Sequence, residues 1–197
     1  VTFAVGYVGI TNSSQIVASD KEMYEDKTVP LTYIADAKEA FHKNRHQLLV
    51  LVLAKTPEER AAALRNIESN TATYEKAMEQ FGVGMDSESG KKLFAAYTEE
   101  YGVYAPLREQ FIGFVKAGRS DDAFALMKKE GNAAVKKLDE RLRSFQERKA
   151  TGALELHEEI EAMAEKADLI MMVAIGVGVI LAIALGLILN AAIARPV

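Results

Sequence analysis

Apolar residues recur three and four positions apart through most of this chain. Leu31, Ile34, Lys38, Phe41, Arg45, Leu48 and Val52 form one such series, and Leu64, Ile67, Thr71, Tyr74, Met78 and Phe81 a second. Phe94, Tyr97, Tyr101, Tyr104, Arg108, Phe111 and Val115 form a third. This spacing keeps side chains on one stripe of a helix, the seam along which helices pack side by side. It predicts a long helix from Ser13 to about Lys55, a second to about Phe81, and a third from about Ser87 to Lys116. A fourth starts near Ser120 or Asp121, turns Leu138, Leu142 and Phe145 inward, and has no obvious stop. The pattern then changes. Leu169 to Leu189 reads LIMMVAIGVGVILAIALGLIL, without charge. That is long enough to cross a hydrocarbon core about 30 Å thick. A soluble helix apolar all round would need a large protein wrapped around it, so residues 168–190 read as a transmembrane helix.

The breaks between series carry their own chemistry. In Thr56-Pro57-Glu58-Glu59, Thr56 caps, Pro57 takes the first helical position and Glu59 closes a capping box. Gly82, Gly84 and Gly90 among Asp and Ser mark the next turn, and Ala117-Gly118-Arg119-Ser120-Asp121 another, with Ser120 or Asp121 as cap. Pro30 predicts a kink in the first helix. Pro106 loses its own hydrogen bond and crowds the carbonyl of Gly102, predicting a bend or bulge between them. Gly131 and Gly152 weaken the fourth helix by about 1 kcal/mol each. Four helices with short connections make neighbours antiparallel. The expected fold is all-α, an antiparallel up-down-up-down four-helix bundle over 13–167, continuous with transmembrane helices. Residues 1–12 are apolar but too few to span, and read as the outer end of a first transmembrane helix.

Composition narrows the function. A net charge of -4 argues against nucleic acid, whose phosphates need a basic face. The absence of cysteine excludes a disulfide framework and a thiolate metal site. Four prolines and no tryptophan suit long helices. His42 and His46 share a helix face, but nothing in the sequence supplies a third metal ligand. His157 stands in a charged run. With no phosphate loop, no nucleophile motif and only dispersed Glu, we expect neither an enzyme nor a cofactor.

The informative residues lie in the seams. Lys38, Arg45, Thr71, Arg108 and a run of tyrosines stand where a plain core would be apolar, and buried Arg is rare unless paired. Counting at 1.5 Å per residue from a tip near 55–57 and 118–120 puts Arg45, Arg108, Ile67 and Gly131 at one height, roughly 15 Å down. Thr71 and Tyr104 follow about a turn deeper, then Tyr74, Tyr101 and Lys38. With no seam carboxylate at that height, the two guanidiniums are expected to hold a carboxylate ligand through their planar forks of donors. The predicted site is Arg45, Thr71, Tyr74, Tyr101, Tyr104 and Arg108, binding a small organic anion. The competing readings are arginines that reach solvent or pair with a flanking Glu109 or Glu130, and tyrosines that are simply core.

Several segments are familiar: an apolar helix end, then MYEDKTVPL from Met23 to Leu31, then Asn44-Arg45, a TPEER turn, and a span closing on Ala194-Arg195-Pro196-Val197. The chain resembles, over nearly its whole length, the four-helix-bundle sensor module of bacterial methyl-accepting chemotaxis proteins. The resemblance implies a homodimer in the inner membrane with a periplasmic sensor domain. Residues 191–197 would begin a HAMP linker, leading to a cytoplasmic part that controls a chemotaxis kinase with its adaptor. It also implies a ligand such as a C4-dicarboxylate, citrate or an aromatic acid, held within one bundle. The family's amino-acid pocket instead spans the dimer interface and uses several arginines of the first helix. This helix offers only Arg45, with Lys38 and Lys43 nearby. Sensor histidine kinases use similar modules, and some bundles sense a partner protein or the membrane state without a small ligand; both remain alternatives.

Overall fold

The computed structural model describes residues 2–193, with the side chains of 2–5, 7, 8, 12, 192 and 193 outside that description. Of the expected HAMP start at 191–197, residues 194–197 lie outside the described residues. The elements are α1 (Thr2–Glu22), a π-helical turn (Met23–Thr28), α2 (Val29–Leu53), α3 (Pro57–Val83), α4 (Glu88–Lys116), α5 (Ser120–Leu126), a second π-helical turn (Met127–Gly131) and α6 (Asn132–Ile193). The chain forms two compact units: Asp26–Thr151, and the stretches up to Glu25 and from Gly152 onward.

The unit Asp26–Thr151 is the four-helix bundle, whose fourth rod is α5, the second π turn and the start of α6. Cross-helix pairs run in opposite numerical order, so neighbours are antiparallel. Lys38 meets Gln146 and His42 meets Asp139 between α2 and α6. Ser89 meets Arg148 and Glu100 meets Arg141 between α4 and α6. The seams close on Ile34, Phe41 and Leu48 of α2, Ile67, Tyr74, Met78 and Phe81 of α3, Tyr97, Tyr104, Phe111 and Val115 of α4, and Leu138, Leu142 and Phe145 of α6. Burying a side chain of this size contributes about 1.5–3 kcal/mol. One core cluster, rich in tyrosine and phenylalanine, centres on Phe81, Tyr97 and Phe145; a second, nearer the tip, joins Leu51, Ile67, Phe111 and Val115. At Gly82 an added Cβ would sit 2.6 Å from the Phe94 ring, so glycine there lets α3 and α4 approach closely.

The breaks follow their local chemistry. Thr56 accepts from the Glu59 amide and Glu59 accepts from the Thr56 amide, both at 3.2 Å, a complete capping box with Pro57 behind it. Ser87 caps α4 through the Gly90 amide. Gly118 takes φ 75°, a left-handed turn that favours glycine. Arg119, and not Ser120 or Asp121, precedes α5, without a side-chain cap; its Nε binds Asp122 at 2.7 Å.

One of two expectations about helix irregularity needs correction. The first helix carries its irregularity beside Pro30, where a π turn (Met23–Thr28) precedes the proline. The proline ring disturbs the carbonyl four residues back, at Asp26. That oxygen accepts a hydrogen bond from Lys149 Nζ at 2.9 Å instead. At Pro106, by contrast, α4 continues without a bulge. The other irregularity is at Met127–Gly131, where no proline stands. There an added Cβ on Gly131 would run into Met127 Sδ, so glycine is what lets the two meet.

In the other unit, Ser13, Ile16 and Val17 of α1 share a groove with Ala164, Ala167 and Met171 of α6. The apolar end of α6 has a mean hydropathy of 2.9 over its 18-residue window, with none of that window buried. It is long and apolar enough to cross a membrane.

Candidate functional site

The seam of α2 keeps Ile34, Phe41 and Leu48 as the three-four spacing drew it, but not its two cationic positions. Ala37, Ala40, Asn44 and Leu51 are buried, whereas Lys38 is half-buried and Arg45 is exposed. Small alanines let the neighbouring helices close in, and long cationic side chains carry their heads outward. On α3 and α4 the forecast fits better. Tyr74, Tyr104 and Arg108 are buried, and Thr71 and Tyr101 half-buried.

These residues build a polar layer inside the bundle. Asn44 Nδ2 donates to Thr71 Oγ1 at 2.9 Å, and Thr71 Oγ1 donates to the Ile67 carbonyl at 2.7 Å. Tyr101 Oη donates to Glu75 Oε1 at 2.8 Å. Its ring stacks on Tyr74 at 5.2 Å, and Tyr104 meets Phe41 edge-on at 5.4 Å. Among the described residues, Asn44 Oδ1, Tyr74 Oη and Tyr104 Oη in this layer are buried with no hydrogen-bond partner. Leaving such a group unpaired costs about 1–3 kcal/mol, so each calls for an explanation. Asn44 is missing from the sequence-predicted site. Its signal was present, since Phe41, Asn44 and Leu48 are themselves spaced by three and four.

Electrostatics couples the layer. Burial pushes the Tyr74 hydroxyl far above the ordinary phenol range, helped by Tyr97 and the neighbouring tyrosines. Burial also raises Tyr104, while the Arg108 and Arg45 guanidiniums pull it back down. Tyr104 thus feels both arginines, in agreement with their shared height. Burial works against the Arg108 charge, but Tyr101 and Glu109 outweigh it and hold its pKa above the ordinary value.

The expectation of two unpaired guanidiniums facing one another is wrong. Arg108, only 7% exposed, donates from Nε at 3.0 Å and Nη2 at 2.9 Å to Oε1 of Glu109, its neighbour in sequence. It lines a groove of about 420 Å³ between α3 and α4 with Ile67, Thr71 and three acids, Glu68, Glu75 and Glu109. Arg45 lines a different groove, of about 640 Å³, whose walls come from α2, α4, α5, the second π turn and α6. Both guanidiniums act on Tyr104, yet they enter different grooves. The azimuth differs because Asn44, not Arg45, turns inward.

The Arg45 groove has an apolar floor of Leu48, Leu49, Phe111, Phe124 and Met127, and a basic rim of His42, Arg45, His46 and Lys128, with Asn132 beside it. None of its lining residues is an acid. His42 lies 3.6 Å from Asp139, but among the described residues no acid pairs with Arg45, His46 or Lys128. Lys128 was not foreseen, because in the sequence it is one lysine in a charged run. Only the π turn carries it to this rim. Among the described residues no cluster of three or more His, Asp or Glu is placed to hold a metal ion.

Comparison with known protein families identifies this chain's module. The family described as a four helix bundle sensory module for signal transduction matches residues 1–164. No curated protein and no solved structure matches. The family consists of sensory modules and not enzymes, and the bundle over Asp26–Thr151 has its architecture. With more than four-fifths of its length matched, this chain belongs to the four-helix-bundle sensory modules of signal transducers of the methyl-accepting chemotaxis type.

Proposed function

We propose that this sensory module binds a small organic anion in the bundle, at the height shared by Arg45 and Arg108. The observation that carries the reading is Tyr104. Its hydroxyl is buried and unpartnered, and it lies in the field of both guanidiniums. Arg45 supplies a guanidinium without an internal acid. Arg108 and Thr71 line the neighbouring groove, and Tyr74 and Tyr101 belong to the polar layer between the helices. Occupancy would reach the membrane through α6, which runs unbroken from Asn132 to Ile193. In this reading the sensor is periplasmic, the apolar end of α6 crosses the inner membrane, and the module works as a homodimer. The signal leaves through a HAMP linker to a kinase-control coiled coil with its kinase and adaptor.

The test is calorimetric titration of the full chain in lipid nanodiscs with a panel of mono-, di- and tricarboxylates. One class is expected to bind. Arg45→Ala should abolish that binding, and Arg108→Ala should weaken it by disturbing Tyr104. Tight binding that survives both changes rejects the site, and silence across the whole panel rejects the function.

A further inference from the structure

The two grooves beside the polar layer differ in a way that selects a ligand. The geometry points to the Arg45 groove as the site of an amphipathic monocarboxylate, its carboxylate bridging Arg45 of α2 and Lys128 of the second π turn, and its apolar body lying on Leu48, Phe111 and Phe124. This rests on the organic-anion reading above and names the class of anion.

Three observations support it. The first is size: about 640 Å³ falls within the range of small-molecule sites, roughly 300–1,000 Å³. The second is charge. The rim is basic and its lining contains no acid, in a chain whose net charge is -4. Arg45 and Lys128 are exposed and, among the described residues, pair with no acid. A carboxylate placed between them gains charge-assisted hydrogen bonds without breaking an existing ion pair. The Arg108 groove offers the reverse. Its guanidinium already serves Glu109, and an entering anion would meet Glu68 and Glu75 as well.

The third observation is the floor. Phe124 is 47% exposed and Leu49 53%, large apolar surfaces beside two buried ones, Leu48 and Phe111. Covering such surface stabilises a complex by about 25 cal/mol per Å². A ligand with one anionic head can lay all the rest of its body on this floor, whereas a second or third carboxylate lying there would meet no partner. A single anionic head on an aromatic or short alkyl body therefore matches the floor better than succinate or citrate does.

The site also reaches the irregular part of the fourth rod. Lys128 and Met127 line the groove from within the π turn, next to the close contact between Met127 and Gly131. A ligand held by Arg45 and Lys128 would tie that turn to α2.

The experiment titrates the full chain in nanodiscs with benzoate, phenylacetate, butyrate and octanoate against succinate and citrate, subtracting empty nanodiscs. Hydrogen exchange is followed over 127–131. Aryl or alkyl monocarboxylates should bind and slow exchange in the π turn. Arg45→Gln and Lys128→Gln should each weaken binding about tenfold or more, the loss of one charge-assisted hydrogen bond. Phe124→Ala should weaken the longer bodies more than the shorter ones. The Lys128→Gln loss should exceed that of Arg108→Gln. All three groove side chains are exposed, so circular dichroism should show the variants folded.

Preference for citrate or succinate, lost in Arg108→Gln and indifferent to Lys128→Gln, would overturn this inference and leave organic-anion sensing intact. Failure of every anion to bind would overturn both. Crosslinking through Lys128→Cys between two copies, with no effect of any monocarboxylate, would assign the groove to a second copy and end the proposal.

Discussion

The bundle face around Arg108 is electrostatically complete, and the face around Arg45 is not. At one height, Arg108 is buried beside acids and bound by Glu109, and Arg45 is exposed above an apolar floor with no acid beside it. The lesson concerns what a charge in a seam means. A guanidinium already paired within its own helix is a structural component. One held beside apolar surface without a counter-ion is available to a ligand. The difference follows from which neighbouring residue turns inward, Asn44 in place of Arg45 on α2, and Arg108 itself on α4.

That contrast can be broken most directly by truncation. Arg108→Ala should cost about 3 kcal/mol, from lost packing of its stem and two charge-assisted hydrogen bonds, whereas Arg45→Ala should change stability by less than about 0.5 kcal/mol. Urea unfolding of both variants measures this, and equal costs would abolish the distinction.

A smaller effect should appear in alkali. Burial pushes the Tyr97 hydroxyl up to about 12, opposed by Tyr74 and aided by Glu75. Its unfolded value is near 10. The unfolded chain therefore releases this proton first, so the contribution is full below about pH 10 and falls as pH rises toward 12. Tyr97→Phe should remove roughly 2 kcal/mol of this alkaline loss. Tyrosinate absorbance, followed beside helix content, would track it; a titration near pH 10 before any unfolding would contradict the buried layer.

Next comes Tyr104→Phe. Removing a buried hydroxyl that has no partner should stabilise the unliganded chain by about 1 kcal/mol while weakening the anion. A loss of stability would mean that the hydroxyl is already satisfied. The smallest change should follow Asp139→Asn, which removes both the contact with His42 on the rim and the ion pair with Arg143. Less than about 0.5 kcal/mol is expected in thermal unfolding. A larger loss would mean that the rim, too, is internally paired.

Much of the fold was legible because helix packing is periodic and local. Thr56, Pro57 and Glu59 announce a helix start through groups three residues apart, and the cap forms as expected. Leu138, Leu142 and Phe145 announce a buried stripe, and all three are fully buried. The direction of the site's side chains was not legible. One helical position is 100° of rotation, enough to exchange Asn44 for Arg45, and both positions fit a three-four pattern drawn among apolar residues. The π turns were also obscure. Pro30 and Pro106 carry the same local penalty, yet only the first is preceded by a bulge, where Lys149 takes up the Asp26 carbonyl.

By itself, then, the sequence determined the rods, the Thr56 cap and the apolar stretch able to span a membrane. These follow from interactions between residues a few positions apart. The tertiary structure alone decided which arginine is neutralised, which buried polar atoms stay unpaired among the described residues, and that Lys128 joins Arg45 in lining a groove. Those outcomes depend on the rotation of each helix about its own axis, set by how alanines, tyrosines and phenylalanines from four rods fill one shared core.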